Sequence, residues 1–101
     1  MTEMRVSAVG VPWYRREDYA KLISIFEDGH NLPNTFDEWF VAAQNVMKTV
    51  ERAGQLAVKA HIDPVTFPAW CKVRGLNVDS SGRAAFANEV ARDEFLKRQT
   101  Q

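Results

Sequence analysis

The feature that most constrains this chain is a change of period at Gly54. From Phe36 to Val50 the apolar residues Phe36, Trp39, Phe40, Ala43, Val46, Met47 and Val50 keep a helical repeat. Just past the glycine, Leu56, Val58, Ala60 and Ile62 alternate with Gln55, Ala57, Lys59 and His61, the repeat of a strand with one dry face. A lone strand leaves amides and carbonyls unpaired, so this one must find a second strand. One partner is the weak alternation of Met4, Val6 and Ala8 with Arg5, Ser7 and Val9, compromised by Val9 and Gly10. The other is the same strand in a second copy across a two-fold axis. The second is the favoured expectation, which makes the chain a homodimer through 56–62.

Four helices are expected around the strand. The first runs from about Tyr14 to Phe26, where Tyr19, Leu22, Ile23 and Phe26 share a face and Glu27-Asp28-Gly29 ends it. Thr35 followed by Glu38 is a capping box that starts the second, and Gly54 stops it. Asp63-Pro64 closes the strand, with Asp63 or Thr66 as the cap of a third helix carrying Phe67, Trp70, Cys71 and Val73. Gly75 supplies a left-handed exit, and Leu76 is placed to fold back on Trp70 and Cys71. Asp79, Ser80 or Ser81 then caps a fourth helix from about Ser81 to Lys97, with Phe86, Ala87, Val90, Ala91 and Phe95 inward. The fold expected is mainly α, a compact four-helix domain with one or two short β-strands, its core around Trp39, Phe40, Met47, Trp70 and Phe86. Residues 1–101 read as one domain, with 1–11 a flexible arm or short strand and 98–101 a frayed tail.

Composition narrows the function classes. The 101 residues are 46% hydrophobic and 26% charged, within the globular range, so folding needs no metal or disulfide. Lys plus Arg and Asp plus Glu are both 13, so no global field draws in nucleic acid or anionic lipid. Met1 to Gly10 lacks a basic stretch leading into a long apolar run, and no segment approaches a membrane span. With a single cysteine, Cys71, the chain suits a reducing compartment, and the cytoplasm is the expected location.

Cys71, His61 and Asp63 are the residue types that could serve as nucleophile, base and orienter. Cys71, however, belongs to an apolar stripe beside Trp70, where a cysteine acts as a small buried hydrophobe. A cysteine enzyme using Cys71 and His61 is therefore the least favoured reading. His30, His61 and Cys71 show no paired spacing of the kind zinc requires, and the five glycines form no phosphate loop. No catalytic residue, cofactor or metal is assigned.

Two surfaces remain. Residues 67–90 can be read as a degenerate helix-turn-helix, with Cys71 small and Gly75 in the turn, and Lys72 and Arg74 joining Arg15 and Arg16 as phosphate contacts. Against that, Ser81 stands where an apolar anchor belongs, and Glu89, Asp93 and Glu94 would face phosphates. The run Pro12-Trp13-Tyr14-Arg15-Arg16-Glu17-Asp18-Tyr19 combines the residue types that most often anchor interfaces. Its alternative role is covering the core end with Trp13 and Tyr14 while the arginines pair with nearby acids.

The phrases PWYRREDY at 12–19, FDEWF at 36–40, IDPVTFPAWC at 62–71, RGL at 74–76 and the later GRAAFANE resemble a family of small uncharacterised bacterial proteins, over about Val11 to Ala91. The resemblance implies a bacterial origin and carries no activity, cofactor or catalytic residue. The function expected from the residues is a non-enzymatic protein-protein interaction module, an adaptor, regulator or inhibitor, contacting a protein partner through Trp13, Tyr14, Arg15, Arg16, Lys59 and His61. A nucleic-acid-binding regulator is the alternative.

Overall fold

Among the described residues, two strands and four α-helices follow one another as β1 (Ala8–Trp13), α1 (Tyr19–Ile25), α2 (Phe36–Arg52), β2 (Leu56–His61), α3 (Thr66–Val73) and α4 (Ser80–Gln99). The computed structural model describes residues 7–99. The fold is mainly α with a small parallel sheet, as the periodicities predict.

Local chemistry places the element ends. The Thr35 hydroxyl accepts from the Glu38 amide at 3.1 Å, the forward half of the capping box. At the far end of α2, Gly54 takes φ +81° while its amide donates to Glu51 and that of Gln55 to Val50, a Schellman closure. Gly75, at φ +69°, repeats the arrangement, with the Leu76 amide donating to Cys71 at 2.9 Å. The Asp63 carboxylate accepts from Val65 at 2.7 Å and Thr66 at 3.0 Å, which holds its pKa below the ordinary carboxylate value and starts α3. Pro68 falls in the first turn of α3, where no intrahelical donor is lost. Asp79 caps α4 through the Gly82 amide at 3.1 Å.

The strand at Gly54 finds its partner within the chain. β1 and β2 run parallel, with Ala8 beside Leu56 and Trp13 beside His61. Parallel strands need a crossover, and α1 and α2 supply it. β1 thus satisfies one edge of this strand, and pairing of 56–62 across a two-fold would use the other. The other expected partner, Met4 to Val9, overlaps β1 at Ala8 and Val9, and its residues 4–6 lie outside those described. Of the flexible arm or short strand expected over 1–11, the described part from Ala8 onward is strand and continues through Pro12 and Trp13.

The sheet lies between two helices. Gly10 faces α4 so closely that a Cβ would run into the Ala87 carbonyl, and Ala60, Ala87 and Ala91 are buried beside this contact. On the opposite face Trp13 meets Trp39 edge-on at 5.2 Å and Phe40 at 6.0 Å, both on α2. The core continues through Tyr14, Tyr19, Leu22 and Phe26 to Phe67 and Cys71. Fully burying a side chain such as Leu22 contributes about 1.5–3 kcal/mol.

Several expectations need correction. α1 begins at Tyr19 rather than Tyr14, because Trp13 and Tyr14 finish the strand and its turn and a single 3-10 turn, Arg16–Asp18, precedes the helix. Val46 and Val73 drop out of their stripes and are 47% and 81% exposed. Phe40, Met47, Trp70 and Phe86 pack on the core half-buried, leaving its centre to smaller and earlier residues. α4 extends to Gln99, two residues past the expected end at Lys97, and Arg98 pairs with Glu94 one turn back at 3.2 Å.

Candidate partner-binding edge

The phase of the ladder determines which backbone groups remain free. The amide of Leu56 donates to Ser7 and that of Ile62 to Trp13, both at 2.9 Å, so the even residues of β2 face β1. Ala57, Lys59 and His61 then direct their amides and carbonyls outward, and among the described residues no partner meets them. On β1 the outward residues are Ala8, Gly10 and Pro12, and proline has no amide to offer. Of the two edges, β2 presents the unbroken one.

Beside this edge the sheet and α2 do not close. Trp13, Gln44, Met47, Lys48 and Lys59 line a groove of about 200 Å³, and the Lys59 ammonium sits 4.6 Å above the Trp13 ring centre. An exposed cation over an indole contributes about 0.5–1 kcal/mol, enough to hold the lysine along the groove wall. Lys48 also borders a second, shallower depression with Glu51 and Arg52. Among the described residues, Lys48, Arg52 and Lys59 have no ion-pair partner.

The six residues expected to meet a partner divide into three groups. Trp13, Lys59 and His61 come together on the α2 side of the sheet. Tyr14 is 3% exposed, and burial pushes its phenol up to about 12 despite the opposing charge of Arg83. Trp13 is likewise a core residue, and its ring floors the groove. Arg15 and Arg16 are exposed but engaged, with Asp18 and Asp37, each at 2.9 Å. The covering role therefore describes the aromatic half of PWYRREDY. Gln44, Met47 and Lys48 are groove residues that sequence reading missed. Their signal was the flank of the α2 stripe, where Gln44 and Lys48 are one turn apart beside Met47.

The other candidate chemistries fare differently. Cys71 is fully buried, and burial raises its thiol pKa, the opposite of what an activated nucleophile needs. His61 is on the exposed α2 side of β2. The helices at 67–90 exist, but residues 74–79 separate them, and α4 buries Gly82, Arg83, Ala87 and Ala91 rather than offering that face to a groove. Arg74 is 4.2 Å over the Trp70 ring and 3.5 Å from Glu89. Among the described residues no three His, Cys, Asp or Glu side chains converge as metal ligands, and no helix is long and apolar enough to cross a membrane.

One buried polar contact is structural. Arg83, 7% exposed, donates to both Asp28 oxygens at 2.8 and 3.0 Å and lies 4.5 Å over the Phe26 ring. The Arg83 hydrogen bond holds the Asp28 carboxyl below its ordinary value. The Glu27 amide donates to Val78 at 2.8 Å in the same region, tying the end of α1 to the entry of α4.

The features define a mainly α domain around a parallel strand pair with one open, cation-bordered edge. No family, curated protein or solved structure matches the chain.

Proposed function

We propose that this protein is a cytoplasmic, non-enzymatic protein-protein interaction module whose β2 edge receives a strand from a partner protein. The observation that carries this reading is the row of outward amides and carbonyls at Ala57, Lys59 and His61, which offers main-chain hydrogen bonds to an added strand. A second copy of the chain is the less favoured occupant. A two-fold centred on Lys59 would set two ammonium groups opposite each other, and like charges so placed oppose pairing.

The test uses Ala57→Pro. That substitution removes an outward amide and leaves the β1 ladder intact, a position where an edge strand accommodates proline. With circular dichroism unchanged, the variant should lose a partner that the wild type retains from its host lysate. Equal retention by both proteins would end the edge reading. Light scattering separates the occupants, since a dimer that Ala57→Pro converts to monomer would make the second copy the partner.

A further inference from the structure

The open edge selects by charge as well as by hydrogen bonding. Lys59 is the middle outward residue of β2, and its side chain is on the face shared with Trp13 and α2. A strand added along this edge places one residue directly opposite Lys59, with its side chain on the same face. That side chain enters the mouth of the groove lined by Gln44, Met47 and Lys48. Two ammonium groups converge there, and Arg52 stands one turn beyond Lys48 on α2. None of the three has an ion-pair partner among the described residues, whereas Arg15, Arg16, Arg74, Arg83 and Arg98 are each held by a carboxylate. Among the described residues, Glu51 is the single acid lining either depression.

The opposite face has another character. Residues of an added strand that point toward α4 continue the row of Leu56, Val58 and Ala60, where Leu56 and Val58 are still half-exposed. An apolar side chain there extends the dry face. Resting on the edge reading above, we infer that the occupant is an extended acidic peptide segment of a partner protein that alternates carboxylate with apolar residues. Its carboxylates face Lys59 and Lys48, and its apolar residues lie beside Leu56 and Val58. The lysine that discourages pairing with a basic or identical strand is the one that favours an acidic strand. A nucleic acid fits less well, because the groove's aromatic ring is a core residue already covered by Lys59 and has no free face for a base.

A fluorescent peptide alternating valine with glutamate tests this by anisotropy at neutral pH, beside a counterpart alternating valine with lysine. The glutamate peptide should bind at least roughly tenfold tighter than the lysine peptide, and Lys59→Glu should reduce or invert that preference. Ala57→Pro should abolish binding of the glutamate peptide. Equal binding of the two peptides, or binding of neither, would overturn the inference. The two readings fail separately. Charge-blind binding that Ala57→Pro abolishes keeps the edge and removes the acidic preference. Charge-selective binding that Ala57→Pro leaves intact removes the edge, and with it the strand geometry claimed here. Displacement of the peptide by a thymidine oligonucleotide at physiological salt would identify a polyanion site and would also overturn it.

Discussion

The two faces of the β1–β2 sheet are built on opposite principles. Toward α4 the contact is made by Gly10, Ala60, Ala87 and Ala91, and the backbones approach until a methyl group no longer fits. Toward α2 it is made by Trp13, Trp39, Phe40 and Met47, whose bulk holds the helix off and leaves the groove beside Lys59. Small residues give a closed joint that fixes the fold, while large ones give a joint with space at its rim. The face with space borders the open strand edge.

The joint on the α4 side should be the fragile one. Asp28→Ala leaves Arg83 nearly buried without its carboxylate, and loss of one partner of such a pair should cost about 3 kcal/mol in urea unfolding. Acid should expose the same pair. The folded-state pKa of Asp28 is depressed, so its contribution is complete above the ordinary value of 3.8 and is lost as pH falls through the folded value. Asp28→Asn should flatten that limb of the stability profile. Gly10→Ala should cost about 1–3 kcal/mol, because β1 or α4 must move to admit the methyl group. A cost below a few tenths of a kcal/mol would show that the two backbones are not in contact.

On the α2 side, Met47→Ala should be milder, at about 1 kcal/mol, since the side chain is half-buried and borders a groove already present. Lys59→Glu should change stability by no more than about 0.5 kcal/mol while altering what the edge binds. If Lys59→Glu destabilises as much as Gly10→Ala, the distinction between a structural and a functional face fails.

Element ends were legible in the sequence because their causes are local. The Thr35 cap, the glycine exits at Gly54 and Gly75 and the Asp79 cap each involve a few neighbouring residues. The alternation of β2 was legible for the same reason, and its dry face is the one turned to α4. What escaped was pairing over distance. β1 contains Gly10 and Pro12, which read as punctuation, and its partner is 48 residues away, as the Gln55 side chain donating to Ser7 at 2.9 Å illustrates. Trp13 and Tyr14 stood out by composition, yet their burial follows from where α2 lands. Arg83 was missed because a charge on an inner stripe looks like a break in the pattern until Asp28 closes on it.

Amide hydrogen exchange along β2 tests the central claim most directly. In the free protein, Leu56, Val58 and Ala60 should be protected and Ala57, Lys59 and His61 should exchange quickly, giving a two-residue alternation. Adding the valine-glutamate peptide should slow the three fast amides and leave the others unchanged. Uniform protection along β2 without peptide, or fast amides that the peptide leaves unaffected, would contradict an open edge that receives a strand.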